Sequence, residues 1–185
     1  VRVVWGINFM AMKWAVAEVP PLLLGALRYA AAALPAVFFI RRPKVALPIL
    51  FAYGGFVGVG QFGLLFSAIH LGMPAGLASL VLQMQTFFTI GLAVLLLGER
   101  PGAAQLLGAL VALAGIGVIG YEKLGGAELW PLLMTVLAGA SWAVANIVVK
   151  RAGRIDMVSF VVWSALVPPI PLFLLSLLLE GPGAV

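Results

Sequence analysis

The chain has 185 residues, of which 64% are hydrophobic and only 9% charged, against about 25% charged in a soluble domain. That balance predicts an all-α integral membrane protein and excludes a sizeable water-soluble domain. The formal charge of +5 is dispersed between apolar segments, which argues against nucleic acid as a partner, and the absence of cysteine removes disulfides, thiolate nucleophiles and Cys metal sites.

Seven apolar spans are expected in chain order. Span 1 covers roughly Val1 to Ala17, and span 2 runs from Pro20 to Ile40, closed by Arg41-Arg42-Pro43-Lys44. Span 3 occupies Val45 to about Ile69. Span 4 lies within Leu71–Arg100, where 28 consecutive uncharged residues are followed abruptly by Glu99-Arg100. About 20 apolar residues suffice to cross the hydrocarbon core as a helix. Gly72, Pro74 and Gly76 mark its start. Span 5 runs from about Ala103 to Tyr121, span 6 from Leu129 to Val149, and span 7 from Met157 to Leu179. Proline, glycine or charge marks every break. Uninterrupted apolar runs exclude a membrane β-barrel, whose strands alternate every second residue.

Orientation follows from the basic residues. Arg2, Arg41, Arg42, Lys44, Arg100, Lys150, Arg151 and Arg154 fall on one side of the spans, and only Lys123 falls clearly on the other. Short loops rich in Lys and Arg stay cytoplasmic. The amino terminus is therefore expected inside and the end of span 7 outside. No charged n-region with a small-residue cleavage site precedes the first span, so no signal peptide is expected. A start at Val1 inside an apolar segment and a stop after span 7 predict truncation at both ends.

Spans 1 and 6 share a pattern. Trp5 is followed by Asn8 and, eight residues after the Trp, by Lys13; Trp142 is followed by Asn146 and, again after eight, by Lys150. Spans 2 and 7 both carry proline late, at Pro35 and at Pro168, Pro169 and Pro171. The repeat unit is then five helices. Five is odd, so the second copy enters from the opposite side, as in transporters that alternate access around a midplane site. Residues 1–121 read as the first five-helix repeat and 122–185 as the first two helices of the second.

The stretch Met73-Pro74-Ala75-Gly76-Leu77-Ala78-Ser79-Leu80-Val81-Leu82-Gln83, the Gly98-Glu99-Arg100 corner and the helix with Gly108 and Gly115-Ile116-Gly117 resemble the EamA family of the drug/metabolite transporter superfamily. Trp5-Gly6-Ile7-Asn8-Phe9, Arg41-Arg42-Pro43-Lys44-Val45 and Trp163-Ser164-Ala165-Leu166-Val167-Pro168 are similar to its amino-acid metabolite exporter branch. The resemblance implies ten helices as two inverted five-helix repeats in a bacterial inner membrane, and export of small metabolites such as O-acetylserine and cysteine.

Candidate solute-binding residues are Trp5, Asn8, Arg28, Gln61, Gln83, Trp142 and Asn146. Arg28 falls near the middle of span 2, where an arginine costs about 2.5–3.5 kcal/mol on insertion scales. Glu18, Glu99, Glu122, Glu128, Asp156 and Glu180 all lie near span ends, so no acid is placed to pair with it. It reads either as a bidentate partner for a solute carboxylate or as an arginine bonded to helix-end carbonyls or snorkelling. Lys13 reads as snorkelling to the outer interface. Gln83 and Gln85 are about 200° apart around a helix. One face is expected on a cavity and the other against a neighbouring helix; singly, each reads first as an interhelical bond. The Trp and Asn pairs read either as cavity walls and amide ligands for an amino-acid-like solute or as interfacial Trp and interhelical Asn. Gly54, Gly58 and Gln61 share a face of span 3, and Gly108, Ala112 and Gly115 a face of span 5; small residues at this spacing predict close helix packing.

His70 has no second ligand at metal spacing, so neither a metal nor a cofactor is expected. No His-Glu-x-x-His, Gly-x-Ser-x-Gly or intramembrane carboxylate pair is present, so an enzyme is not expected. The expected partners are a small-molecule solute and the lipid bilayer; the oligomeric state has no signature. The alternatives to a transporter are a truncated or non-transporting membrane subunit and, behind it, an intramembrane enzyme.

Overall fold

The computed structural model describes residues 14–15, 18–123 and 129–181. Span 1, with Trp5, Asn8 and Lys13, lies almost entirely outside the described residues. Those described are helical wherever the sequence is apolar, because a backbone in lipid must satisfy its own N–H and C=O groups. Among the described residues, four helical stretches are long and apolar enough to cross a membrane: Leu47–His70, Ala75–Leu97, Leu129–Ala152 and Met157–Leu179. Pro21–Val37 and Ala103–Gly115 are shorter apolar helices.

Helix α1 (Pro21–Val37) starts on a proline, which forfeits no intrahelical bond there. Pro35 lies inside its last turn and the helix stops two residues later. The next span is one rod of three parts: α2 (Leu47–Gly54), a π-helical segment (Gly55–Gly63) and α3 (Leu64–His70). Five glycines, Gly54, Gly55, Gly58, Gly60 and Gly63, fall in or beside the π segment. Without Cβ atoms they allow the helix to widen and neighbours to press onto its backbone.

The following span is α4 (Ala75–Leu82) and α5 (Gln85–Leu97), parted at Gln83-Met84. Tighter i→i−3 bonds carry the chain through the break: Gln83 N–H to Leu80 O at 3.1 Å, Met84 to Val81 at 3.0 Å, Thr86 to Gln83 at 3.1 Å and Phe87 to Met84 at 3.0 Å. Neither Pro nor Gly causes it. Gly139 of the facing helix backs onto the break, where a Cβ would lie 3.5 Å from both Leu82 O and Gln85 N. Gly98 then ends α5 in the left-handed conformation, φ 65°, which costs glycine nothing.

Helix α6 (Ala103–Lys123) and α7 (Leu129–Ala152) follow. Asp156 caps α8 (Met157–Ser164): its carboxylate accepts from Val158 N–H at 3.2 Å and from the Ser159 hydroxyl. The Ser159 hydroxyl above all, with the Val158 amide, holds this exposed carboxyl below its usual pKa. Leu166 and Val167 turn the chain, Pro168 and Pro169 supply no N–H to continue α8, and α9 (Pro169–Leu179) completes the last described span.

Helix α7 is the hub. It packs against α5, the π segment, α3, α4 and α2. Phe62, Leu65, Phe66, Met73, Leu77 and Leu82 form the main buried cluster, with Ala138 of α7 inserted. Helix α1 packs on α9. At one end of that pair, Glu180 accepts Leu22 N–H at 2.9 Å while Ser176 Oγ donates to its other oxygen at 2.6 Å, which places a carboxylate at the amino terminus of α1. At the other end, Trp163 Nε1 donates to Ile40 O at 3.0 Å. These two bonds set the antiparallel register of spans 2 and 7.

Candidate solute site

Glycine dictates how closely the π segment is held. A Cβ on Gly54 would sit 2.4 Å from Ser164 O, one on Gly58 2.0 Å from Pro168 Cγ, and one on Gly60 2.0 Å from Ser141 Oγ. Ser141 Oγ also donates to Phe56 O at 2.8 Å, satisfying a carbonyl within the widened helix. The π segment is thus wedged between α7 on one side and the α8–α9 turn on the other. The close packing predicted for Gly54 and Gly58 is observed.

Gln61 belongs to this segment, is only 1% exposed, and its Oε1 has no hydrogen-bond partner among the described residues. Its neighbour Phe62 is buried and carries the guanidinium of Arg28 on its ring face, 4.2 Å from the centroid; Tyr29 holds the same group at 5.4 Å. Tyr29 in turn meets Phe62 edge-on at 5.8 Å. Arg28 is an exposed cation supported on aromatic faces. Neither an acidic partner nor a helix-end carbonyl holds it among the described residues. Trp142 packs against the main buried cluster next to Ser141, on the α7 face that meets the π segment.

Asn146 is placed differently. Its Nδ2 donates to Gln85 Oε1 and to Thr89 Oγ1, both at 3.1 Å. Thr89 Oγ1 donates to Gln85 O at 2.7 Å, and Gln85 Nε2 to Thr86 Oγ1 at 3.1 Å. Both donor hydrogens of Asn146 are committed to α5, just below the break. Lys150 Nζ contacts Glu99 Oε2 at 2.7 Å, and Arg151 Nη2 donates to Leu96 O at 3.3 Å. A small cavity of about 70 Å³ lies among Thr89, Ala93, Glu99, Gln105 and Lys150. Polar rungs therefore join α5 and α7 from the break to the basic end.

Gln83 faces away from these rungs. It is exposed and lines a cleft of about 270 Å³ with Thr86, Phe87, Ile90, Gln105 and Gly108, which borders the smaller cavity at Ile90 and Gln105. The two glutamines of span 4 do lie on opposite faces, one on a cleft and one bonded to a neighbouring helix. The packing expected of span 5 is not seen: neither Gly108 nor Gly115 would bring a Cβ within 4 Å of another described residue. Gly108 and Ala112 border the cleft instead. The structure brings Arg28, Gln61 and Trp142 to the π-segment side, separates Gln83 from them, and ties Asn146 to α5. Trp5 and Asn8 lie outside the described residues. Sequence reasoning missed Phe62, whose ring supports Arg28, and the Thr89 rung. The available signal was the placement of Thr89 four residues after Gln85, on one helix face.

Residues 1–121 match the family described as "EamA-like transporter family". The chain belongs to that family. Over 187 residues it is 46% identical to an Escherichia coli K12 protein described as a "Probable amino-acid metabolite efflux pump" and equally to its Salmonella typhimurium counterpart. Each match covers 98% of this chain and 62% of the relative, so the chain spans less than two thirds of the length of these relatives. A "Probable terminal-alkyne amino-acid exporter" of Streptantibioticus cattleyicolor is 27% identical over 137 residues, covering 72% of this chain and 46% of that protein. No solved structure matches. Family membership and the apolar helices together make this a multi-pass membrane protein of a transporter family, not an enzyme.

Proposed function

We propose that the protein exports small amino-acid derivatives, with O-acetylserine and cysteine as the solute class, across a bacterial inner membrane by alternating access. The observation that carries this reading is Arg28: a cation inside an apolar span, supported on the faces of Phe62 and Tyr29, with no acidic partner among the described residues. A solute carboxylate completes such a site with two parallel hydrogen bonds. The relatives named as efflux pumps and an amino-acid exporter support the solute class.

Residues 1–121 form the first repeat in this proposal and 122–185 open the second. The solute lies where the π segment of the first repeat meets α7 of the second, walled by Trp142 and, through the repeat symmetry, by Trp5 and Asn8 of span 1. Asn146, with both donors on α5, ties the second repeat to the broken span 4. The amino terminus is cytoplasmic, together with Arg41, Arg42, Lys44 and Lys150. Cysteines at Ala46 and Leu71 test the orientation: an impermeant maleimide should label only the second in intact cells.

Export itself is tested in cells producing the full gene product and loaded with radiolabelled cysteine. Efflux should exceed that of vector controls and saturate, and Arg28→Lys, which keeps the charge but loses the fork, should cut it sharply at unchanged membrane levels. Equal efflux from vector and producing cells would sink the proposal.

A further inference from the structure

Gln61 carries an unmet acceptor. It is 1% exposed, and its Oε1 has no hydrogen-bond partner among the described residues. Leaving a buried carbonyl unpaired is costly, and such exceptions call for an explanation at the site where they occur. Gln61 also belongs to a π-helical segment, a form that occurs rarely and often at functional sites. The segment is pinned by contacts that a single added methyl would break, at Gly54, Gly58 and Gly60. A carboxamide could have been replaced there by leucine at lower energetic cost. The chain instead holds a negative dipole end in the packed contact between the two repeats.

We propose that Gln61 Oε1 accepts a hydrogen bond from the protonated amine of the transported solute, so that the protein selects free amines over N-acylated analogues. This rests on the exporter reading and names the group that its solute must carry. The chemistry is complementary. An oxygen with no donor repels a carboxylate and attracts an ammonium, while the Arg28 guanidinium over the adjacent Phe62 ring takes the carboxylate. N-acylation converts the ammonium into a neutral, crowded amide and removes the charge-assisted bond. Gln61 is covered in the described conformation; in this proposal the solute reaches it when α7 moves away from the π segment. The Ser141–Phe56 hydrogen bond joins these elements and would break in that movement.

The test uses the purified protein in nanodiscs, with cysteine and N-acetylcysteine as probes. Wild type should be stabilised thermally by cysteine at concentrations about tenfold or more below those needed for N-acetylcysteine. Gln61→Leu and Gln61→Met both delete the acceptor at similar volume. Each should melt higher than wild type without solute, since the unpaired carbonyl is gone, and each should respond equally to the two probes. Two variants guard against one failing to pack. A lower melting point in both variants, or a retained preference for cysteine, overturns the proposal; the former would mean that a buried water or packing occupies the amide. If wild type responds to both probes alike, this proposal falls and the exporter reading stands. If it responds to neither, both fall.

Discussion

Two glycine-bearing helix faces, each marked at i, i+4 and i+7, have opposite fates in this molecule. Gly54 and Gly58 in span 3 are pressed against Ser164 and Pro168, while Gly108 and Gly115 in span 5 face open space among the described residues. A small-residue pattern states only that close approach is permitted. Whether it happens depends on what the partner brings. Span 7 brings the α8–α9 turn, whose proline ring fits only where no Cβ stands. Span 4 brings Phe87 and Ile90 to the cleft at span 5, and a gap of about 270 Å³ remains. The packed stripe creates the wedge that buries Gln61; the open stripe creates a cleft that Gln83 borders.

The largest expected effect comes from filling the packed stripe. Gly58→Ala puts a methyl 2.0 Å from Pro168, and overpacking of this kind costs about 1–3 kcal/mol or more; melting in detergent should fall by many degrees. The same substitution at Gly108 or Gly115 should leave melting unchanged or raise it, because alanine gains up to about 1 kcal/mol over glycine in a helix. Equal losses at the two stripes would erase the contrast. Asn146→Ala should cost less, about 0.6 kcal/mol for each interhelical bond lost, and should loosen α5 from α7 as seen by faster amide exchange near Thr89. Glu99→Gln should be smaller still, within about 1 kcal/mol, since Lys150 and Glu99 are 43% and 48% exposed, and its effect should fade in high salt. The smallest effect is at Asp156. Its carboxyl is held below its usual pKa in the folded state, so its contribution is present above the unfolded value and lost as pH falls through the folded value. Asp156→Ala should lower melting slightly at neutral pH and show no difference in acid.

The outer limits of the spans were legible. Helix α9 ends at Leu179 and α8 starts at Met157, as the charges and prolines indicate. The close approach at Gly54 and Gly58 was legible as well. The interruptions within spans were not. Span 4 breaks at Gln83-Met84 without Pro or Gly, at the point where Gly139, some fifty residues on, packs against it. The π segment reads in sequence as one more apolar, glycine-rich helix; the side chains that press on it, Ser141 and Pro168, come from other spans. Glu180 on Leu22 N–H links residues at opposite ends of the described chain, and no local pattern announces such a pair. Of the candidate site, Arg28 and Gln61 were marked by residue type alone, as polar groups in apolar spans. Their surroundings came from tertiary packing, and so did the separation of Gln83 from Gln61.

That separation carries the central claim: the solute meets the packed wedge and not the open cleft. Cysteine efflux measured side by side for Gln61→Leu and Gln83→Leu, in full-length gene product at matched membrane levels, tests it most directly. The account predicts that Gln61→Leu loses the preference for cysteine over N-acetylcysteine while Gln83→Leu exports and discriminates like wild type. Loss at Gln83 with retention at Gln61 would contradict it.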